Sequence, residues 1–135
     1  MAVRPLLSDA EMRAEARAVL DDIRATRGSD FINNFWRALA HDPALLRATW
    51  ERLKQVMGSG ALDPLTKELI YIAVSVANGC DYCIHSHTAA ARAKGMSPEQ
   101  HGELLAVIGM AAQTNALATA LQVPVDPEFE AHPGT

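Results

Sequence analysis

The sequence lacks the clustered positive charge expected of a nucleic-acid-binding protein. Its 12 Lys and Arg residues are outnumbered by 16 Asp and Glu residues, and the formal net charge is −4. The basic residues are scattered through both halves of the chain. Binding to nucleic acid depends on grouped cations that neutralise phosphates. We therefore expect no nucleic-acid partner.

A long apolar run is also missing. The N-terminus has no apolar stretch of signal-peptide length before charges resume, so we expect a cytoplasmic protein. Residues 104–125 carry no charge, but alanine dominates them and polar residues interrupt them. Such a segment is too polar for a typical membrane span. We therefore expect no membrane association.

No run of alternating β-branched residues indicates a strand, whereas helix start and stop signals recur along the chain. Ser8 with Glu11 forms a capping-box pattern, and Asp-Pro or Ser-Pro pairs stand at residues 42, 63 and 97. The predicted helices cover about residues 8–28, 31–40, 43–58, 64–78, 80–95 and 98–121. The length and an apolar content of 49% predict one all-α domain over residues 1–135, a bundle of about six helices with an extended tail over residues 123–135.

Two of the predicted helices have very few charges. The fourth has none between Glu68 and Cys80, and the sixth has none after Glu103. This pattern predicts burial on nearly every side of both helices. Because a domain of this size can hide about one such helix fully, the remaining apolar surface predicts self-association.

Cysteine is scarce, with two residues in the whole chain. A structural disulfide is not expected, because the cytosol keeps ordinary thiols reduced. Cys80 and Cys83 form a C-x-x-C pair at the start of the fifth helix, directly after Gly79. This spacing brings both sulfurs within bonding reach, and one sulfur faces free backbone N–H groups at the positive end of the helix dipole. We interpret the pair as a redox site rather than as two inert buried thiols.

Three nearby residues can carry protons. His87 follows Cys83 by four positions, so the two side chains lie one turn apart on one helical face. His85 points elsewhere, and we interpret it as a surface histidine. Glu68 is either a solvated carboxylate in the first turn of its helix or a buried acid directed at the cysteines. Helix geometry alone favours the solvated position.

Together these residues form the pattern E-x11-C-x-x-C-x-x-x-H, which resembles the active-site motif of the alkylhydroperoxidase D-like (AhpD-like) proteins. These proteins belong to the carboxymuconolactone decarboxylase superfamily. The similarity is strong over residues 68–100 and weaker over residues 31–65, where it is closest to the peroxidase-related branch. The decarboxylase branch lacks the cysteine pair, so decarboxylation is not expected.

The resemblance implies an all-helical homo-oligomer, such as a trimer or hexamer, that reduces alkyl or hydrogen peroxide as an antioxidant enzyme. It implies that Cys83 is the peroxidatic cysteine, that Cys80 is the resolving cysteine, and that Glu68 and His87 form a proton relay. The expected reductant is an external dithiol or a lipoyl-bearing partner, and we expect no resident cofactor or metal. The founding alkylhydroperoxidase of the family has a histidine where this chain has Tyr82, and a phenol with a pKa near 10 cannot replace imidazole as a base at neutral pH.

Other functions remain open from the sequence. The same dithiol could serve general thiol-disulfide exchange. Alternatively, Cys80, Cys83, His87 and Glu68 are four acceptable zinc ligands, although structural zinc usually gathers two ligand pairs. A third possibility is a helical interaction module in which the cysteines are incidental.

Overall fold

The computed structural model describes residues 1–130, and within them the regular structure is helical throughout. Six α-helices follow one another along this part of the chain: α1 (Ala14–Arg27), α2 (Asn34–Leu39), α3 (Pro43–Met57), α4 (Pro64–Ala77), α5 (Asp81–Ala93) and α6 (Pro98–Ala120). A 3₁₀-helix, Pro127–Phe129, follows α6. The predicted all-α class with about six helices is confirmed.

The chain forms two compact units, Met1–Gly58 and a second unit that begins at Ser59. The first contains α1 to α3 and the second contains α4 to α6. All four candidate site residues lie in the second unit. The single domain over residues 1–135 stays a prediction.

The first unit is built around one apolar cluster. Its buried members are Met12, Ala16, Val19, Leu20, Ile23, Ile32, Trp36, Ala40, Leu46 and Trp50. Those on α1 recur every three or four residues, which places them on one face of the helix. This face lets α1 pack against α3.

Charged side chains surround the aromatic part of this cluster. The rings of Trp36 and Trp50 meet edge to face, with centroids 5.5 Å apart, and the Arg27 guanidinium lies 5.5 Å from the Trp50 centroid. The Asp22 carboxylate accepts hydrogen bonds from Lys54 Nζ (2.7 Å) and Trp50 Nε1 (2.5 Å). Both bonds lower the pKa of Asp22, and the bond from Lys54 has the larger effect. The polar edge of the tryptophan is therefore satisfied at the surface.

The predicted start of α1 is wrong. Ser8 donates to the Glu11 carboxylate from its backbone N (2.8 Å) and its hydroxyl (2.6 Å), but these bonds close an isolated turn. Asp9 within that turn is paired with Arg24 Nη2 at 2.6 Å and with Arg37 Nη1 at 2.9 Å. These ion pairs hold the turn against the unit, and α1 begins only at Ala14.

The boundaries of α3 to α6 agree with the predicted start and stop signals. Asp42 and Asp63 cap α3 and α4 with their carboxylates, and a proline occupies the first turn of each helix. Ser97 and Gln100 form a reciprocal capping box at the start of α6. By contrast, α2 is shorter than predicted and begins at Asn34.

In the second unit, α4 packs mainly against α5 and more lightly against α6. The buried apolar residues are Ile72, Ala91 and Met96, and partly buried residues surround them: Leu65, Leu69, Val76, Leu104 and Ile108. This cluster is smaller than that of the first unit. It fixes one face of α4 against the helix that carries the cysteines.

The prediction that α4 and α6 are buried on nearly every side is wrong for the single chain. On α4, Ile70 and Val74 are about half exposed, and α6 has no buried residue. The cause is the small number of neighbours, since α4 is covered by α5 and α6 on one side only. Within residues 1–130, no helix combines the length and the hydropathy needed to cross a membrane.

The predicted extended tail is partly folded. After α6 the chain contains the 3₁₀-helix Pro127–Phe129, in which Phe129 N–H donates to Asp126 O at 2.9 Å. Residues 123–130 are otherwise irregular and exposed. Residues 131–135 of the predicted tail lie outside the described residues.

Two adjacent leucines on α3 test the first core. Leu46 is fully buried, whereas Leu45 is 51% exposed. We expect Leu46→Ala to lower the free energy of unfolding by about 2–5 kcal/mol, because it removes buried methyl groups and leaves a cavity. Leu45→Ala should change it by about 0.5 kcal/mol or less. Urea unfolding measures both, and equal losses would contradict this assignment of the core.

Candidate active site

A tight turn between α4 and α5 positions the cysteine pair. Asn78 caps α4, Gly79 adopts a left-handed conformation with φ of 65°, and Cys80 N–H donates to Ser75 O at 2.9 Å. Glycine adopts this positive φ without steric cost. The turn places Cys80 at the N-cap of α5.

Cys80 and Cys83 are joined by a disulfide, and their Cα atoms are 5.3 Å apart. Cys83 N–H also donates to Cys80 Sγ at 3.3 Å. One sulfur was predicted to lie at the positive end of the helix dipole, and the structure identifies it as the sulfur of Cys80. Both cysteines are partly buried, which leaves part of each available to a reaction partner.

The Glu68 carboxylate is buried, with 4% of the residue exposed. Its Oε2 accepts from His87 Nδ1 at 2.6 Å, and its Oε1 accepts from Lys94 Nζ at 2.7 Å. The solvated position favoured by helix geometry is therefore wrong, because α5 packs across this face of α4. The burial agrees with the alternative of a buried acid, but the bonds of the carboxylate go to His87 and Lys94 and not to the cysteines.

Opposing effects act on the ionisation of Glu68. Burial is the largest influence and favours the neutral acid, but the hydrogen bonds from His87 and Lys94 and their positive charges outweigh it. The net result is a pKa of Glu68 below its ordinary value of 4.5. Glu68 is accordingly a carboxylate at neutral pH.

His87 is fixed on two sides. Its Nδ1 donates to Glu68, and its ring stacks on Tyr71 with centroids 3.5 Å apart and an angle of 19° between the planes. Because an ionised carboxylate can only accept, the Nδ1 proton belongs to this bond and Nε2 is the basic nitrogen of neutral His87. Cys83 lies one turn before His87 on the continuous helix α5, which is the predicted relation.

Two further residues of α5, His85 and Tyr82, are exposed. His85 is exposed, and its Nδ1 lies 2.8 Å from Asp81 O, which agrees with the surface position predicted for it. Tyr82 is 43% exposed in the first turn of α5. Neither is part of the Glu68–His87 pair.

Sequence reasoning missed two residues that contact the pair. Tyr71 follows Glu68 by three positions, and Lys94 follows His87 by seven, so each lies on the same helical face as the residue it accompanies. These two spacings are the sequence signal from which the contacts of Tyr71 and Lys94 could have been predicted. They become informative only once the packed faces of α4 and α5 are known.

The arrangement differs from what a zinc site needs. Within residues 1–130, no group of three or more His, Cys, Asp or Glu side chains is placed to hold a metal ion. The two sulfurs are bonded to each other, whereas zinc binds thiolates. Glu68 Oε2 and His87 Nδ1 are bonded to each other.

Comparisons with known proteins agree with this description. A model of the carboxymuconolactone decarboxylase family matches residues 43–126. The crystal structure of an alkylhydroperoxidase AhpD core from Rhodospirillum rubrum is 67% identical, with a TM-score of 0.95 over 98% of this chain and 99% of that one. Alkyl hydroperoxide reductase AhpD from Solibacter usitatus is 41% identical over 73 residues, covering 54% of this chain and 40% of the relative. The protein of the same name from Maricaulis maris is 31% identical over 126 residues, which cover 83% of this chain and 68% of that relative.

The helical fold and the site define a class of all-α proteins that carry a C-x-x-C pair beside a buried Glu–His pair. Within that class, the chain belongs to the carboxymuconolactone decarboxylase family and is AhpD-like. It spans about two fifths of the length of the curated relatives from Solibacter usitatus and Gluconacetobacter diazotrophicus, 40% of each.

Proposed function

We propose that this chain is a thiol-dependent peroxidase that reduces alkyl or hydrogen peroxide and so acts as an antioxidant. One observation carries the proposal: a dithiol able to close a disulfide lies one helical turn from a histidine that a buried carboxylate orients. The names of the AhpD relatives support the same reaction class.

The first step oxidises Cys83. Nε2 of His87 takes the thiol proton, and the Cys83 thiolate attacks one peroxide oxygen. As the S–O bond forms, the O–O bond breaks, and the proton on Nε2 passes to the departing oxygen. The products are a Cys83 sulfenic acid and an alcohol, or water when the substrate is hydrogen peroxide.

The second step closes the disulfide. The Cys80 sulfur attacks the Cys83 sulfur, and hydroxide leaves with the Cys80 proton as water. The two steps together convert a dithiol and a peroxide into a disulfide, an alcohol and water. The disulfide between Cys80 and Cys83 is the bond that this step would form, which supports the proposal.

An external dithiol resets the site. The family resemblance suggests a lipoyl-bearing or other dithiol partner, which would reduce the Cys80–Cys83 bond by two successive thiol exchanges. Both cysteines are partly exposed, so an incoming sulfur has access to the pair.

General thiol-disulfide exchange is the second candidate function. It is favoured by the position of Cys80, whose sulfur accepts the Cys83 N–H at the positive end of α5. That end of the helix stabilises a Cys80 thiolate, which is the nucleophile that disulfide exchange requires. The two functions assign the attacking role to different cysteines.

The cysteine roles give the decisive experiment. Cys83→Ser should abolish peroxide consumption, because it removes the sulfur next to His87. Cys80→Ser should react once and accumulate a Cys83 sulfenic acid, because the attacking sulfur remains while its resolving partner is gone. Dimedone labelling followed by mass spectrometry detects that adduct.

The opposite pattern would contradict this assignment. If Cys80→Ser is inert and Cys83→Ser traps the sulfenic acid, the two roles are reversed. Stoichiometric transfer of the disulfide to a small dithiol, without any peroxide consumption by the unsubstituted chain, would favour general exchange.

Self-association is part of the proposed function, as a homo-oligomer such as a trimer or hexamer. The half-exposed apolar residues of α6, including Leu105, Met110 and Leu117, would then be covered by other copies. We expect sedimentation at micromolar concentration to give a species of several chain masses, and Met110→Glu to shift it towards smaller species. A single species of one chain mass would contradict this prediction.

A further inference from the structure

Lys94 has no role in the steps above, although it contacts the group that orients His87. It caps the C-terminal end of α5 and is followed by Gly95, which has φ of 96°. Its Nζ lies 2.7 Å from Glu68 Oε1. The side chain is 37% exposed, so the ammonium reaches into the site from the edge of the unit.

We propose that Lys94 is a positioning residue that keeps Glu68 ionised and fixes its carboxylate so that Oε2 stays on His87 Nδ1. This role rests on the proposed function, in which His87 Nε2 must accept the Cys83 proton. Lys94 bonds to Glu68 Oε1 and acts through that carboxylate.

The two oxygens of Glu68 have separate partners. Oε1 is bound by Lys94 and Oε2 by His87, and within residues 1–130 these are the two side chains that bond to the carboxylate. Without Lys94, Oε1 would be a buried acceptor with no partner of its own. The carboxylate could then turn or take up a proton, and either change would disturb the bond to His87.

Protonation of Glu68 would matter for the reaction. The O–H of a neutral Glu68 could donate a hydrogen bond to Nδ1, and neutral His87 would then carry its own proton on Nε2. In that tautomer Nε2 cannot accept the proton of the Cys83 thiol. By opposing protonation, Lys94 keeps the basic nitrogen directed to the cysteine.

The charged surroundings of Glu68 are simple. From α4, Tyr71 stacks on His87, while Nζ of the neighbouring Lys67 lies near Gly60. From α5 come His87 and Lys94. Helix α6 adds Leu104 and Ile108, both apolar, to the cluster around α4. Of the two side chains that lower the pKa of Glu68, His87 and Lys94, Lys94 is the one with a permanent positive charge.

Three variants test this role. Lys94→Met keeps the aliphatic stem and removes the charge, Lys94→Arg keeps a cation, and Arg92→Met is the matched control. Arg92 is an exposed cation two residues earlier on α5. The first measurement is the titration of the Glu68 carboxylate by carbon-13 NMR, with the signal assigned from its loss in Glu68→Gln.

We expect the Glu68 signal to titrate at a higher pH in Lys94→Met than in the unsubstituted chain. The sign follows from the environment, because Lys94 lowers the pKa of Glu68 and burial raises it. Lys94→Arg should restore the original midpoint, and Arg92→Met should leave it unchanged. The proposal would be overturned if the Glu68 carboxylate titrated at the same pH in Lys94→Met and in Arg92→Met. It would also be overturned if the Glu68 midpoint in Lys94→Arg equalled that in Lys94→Met.

The second measurement is the pH dependence of the single reaction with cumene hydroperoxide. As the solution is acidified, the reaction rate of Lys94→Met should begin to fall at a higher pH than the rate of the unsubstituted chain. At acidic pH the variant should react about tenfold more slowly, because one charge-assisted hydrogen bond is lost. The deficit should narrow at alkaline pH, where Glu68 is ionised in both proteins and only the orientation of its carboxylate differs. Equal rates for the two proteins at every pH would overturn the positioning role.

These readouts separate the two proposals. The Glu68 titration does not depend on turnover. If Lys94→Met moves that titration while the unsubstituted chain reduces no peroxide, the effect of Lys94 on Glu68 stands and the peroxidase function fails. If peroxide is reduced and the titration does not move, the peroxidase function stands and the role of Lys94 fails.

Discussion

The buried carboxylate of Glu68 is the constraint on which the candidate site depends. A carboxylate with 4% of its residue exposed persists in the ionised form only when cations or donors replace the lost water. His87 and Lys94 supply these partners, one on each oxygen. The same two bonds tie α4 to α5, so the chemistry of the site and the packing of the second unit depend on the same atoms.

The two cysteines have different electrostatic surroundings although only two residues separate them. Cys80 lies at the N-cap of α5, where its sulfur accepts a backbone N–H, while Cys83 lies one turn before the oriented histidine. The helix end stabilises a charge that already exists, whereas the histidine can move a proton during a reaction. This difference supports the proposed roles, in which Cys83 reacts with the peroxide and Cys80 then forms the disulfide with it.

Much of the fold was predictable because its signals are local. Asp63 with Pro64, the turn at Gly79 and the Ser97 capping box act within four residues, and the structure places helix boundaries at all of them. The Ser8–Glu11 bonds also form, but the same local contacts close a turn as readily as they start a helix. The burial of Glu68 and its bond to Lys94, 26 residues away, depend on how α4 and α5 pack. No local signal contains that information, so helix geometry alone favoured a solvated carboxylate, whereas the family resemblance implied a pairing of Glu68 with His87.

The coupling of His87 to Cys83 is the central claim, and one single-turnover measurement tests it most directly. Reduced Cys80→Ser protein is mixed with one equivalent of cumene hydroperoxide, and formation of the Cys83 sulfenic acid is followed with and without a second substitution. His87→Gln should slow this step by roughly 10² to 10⁴, the contribution expected of a general acid-base group, while His85→Gln should leave it unchanged. Equal rates for the two histidine variants would contradict the account.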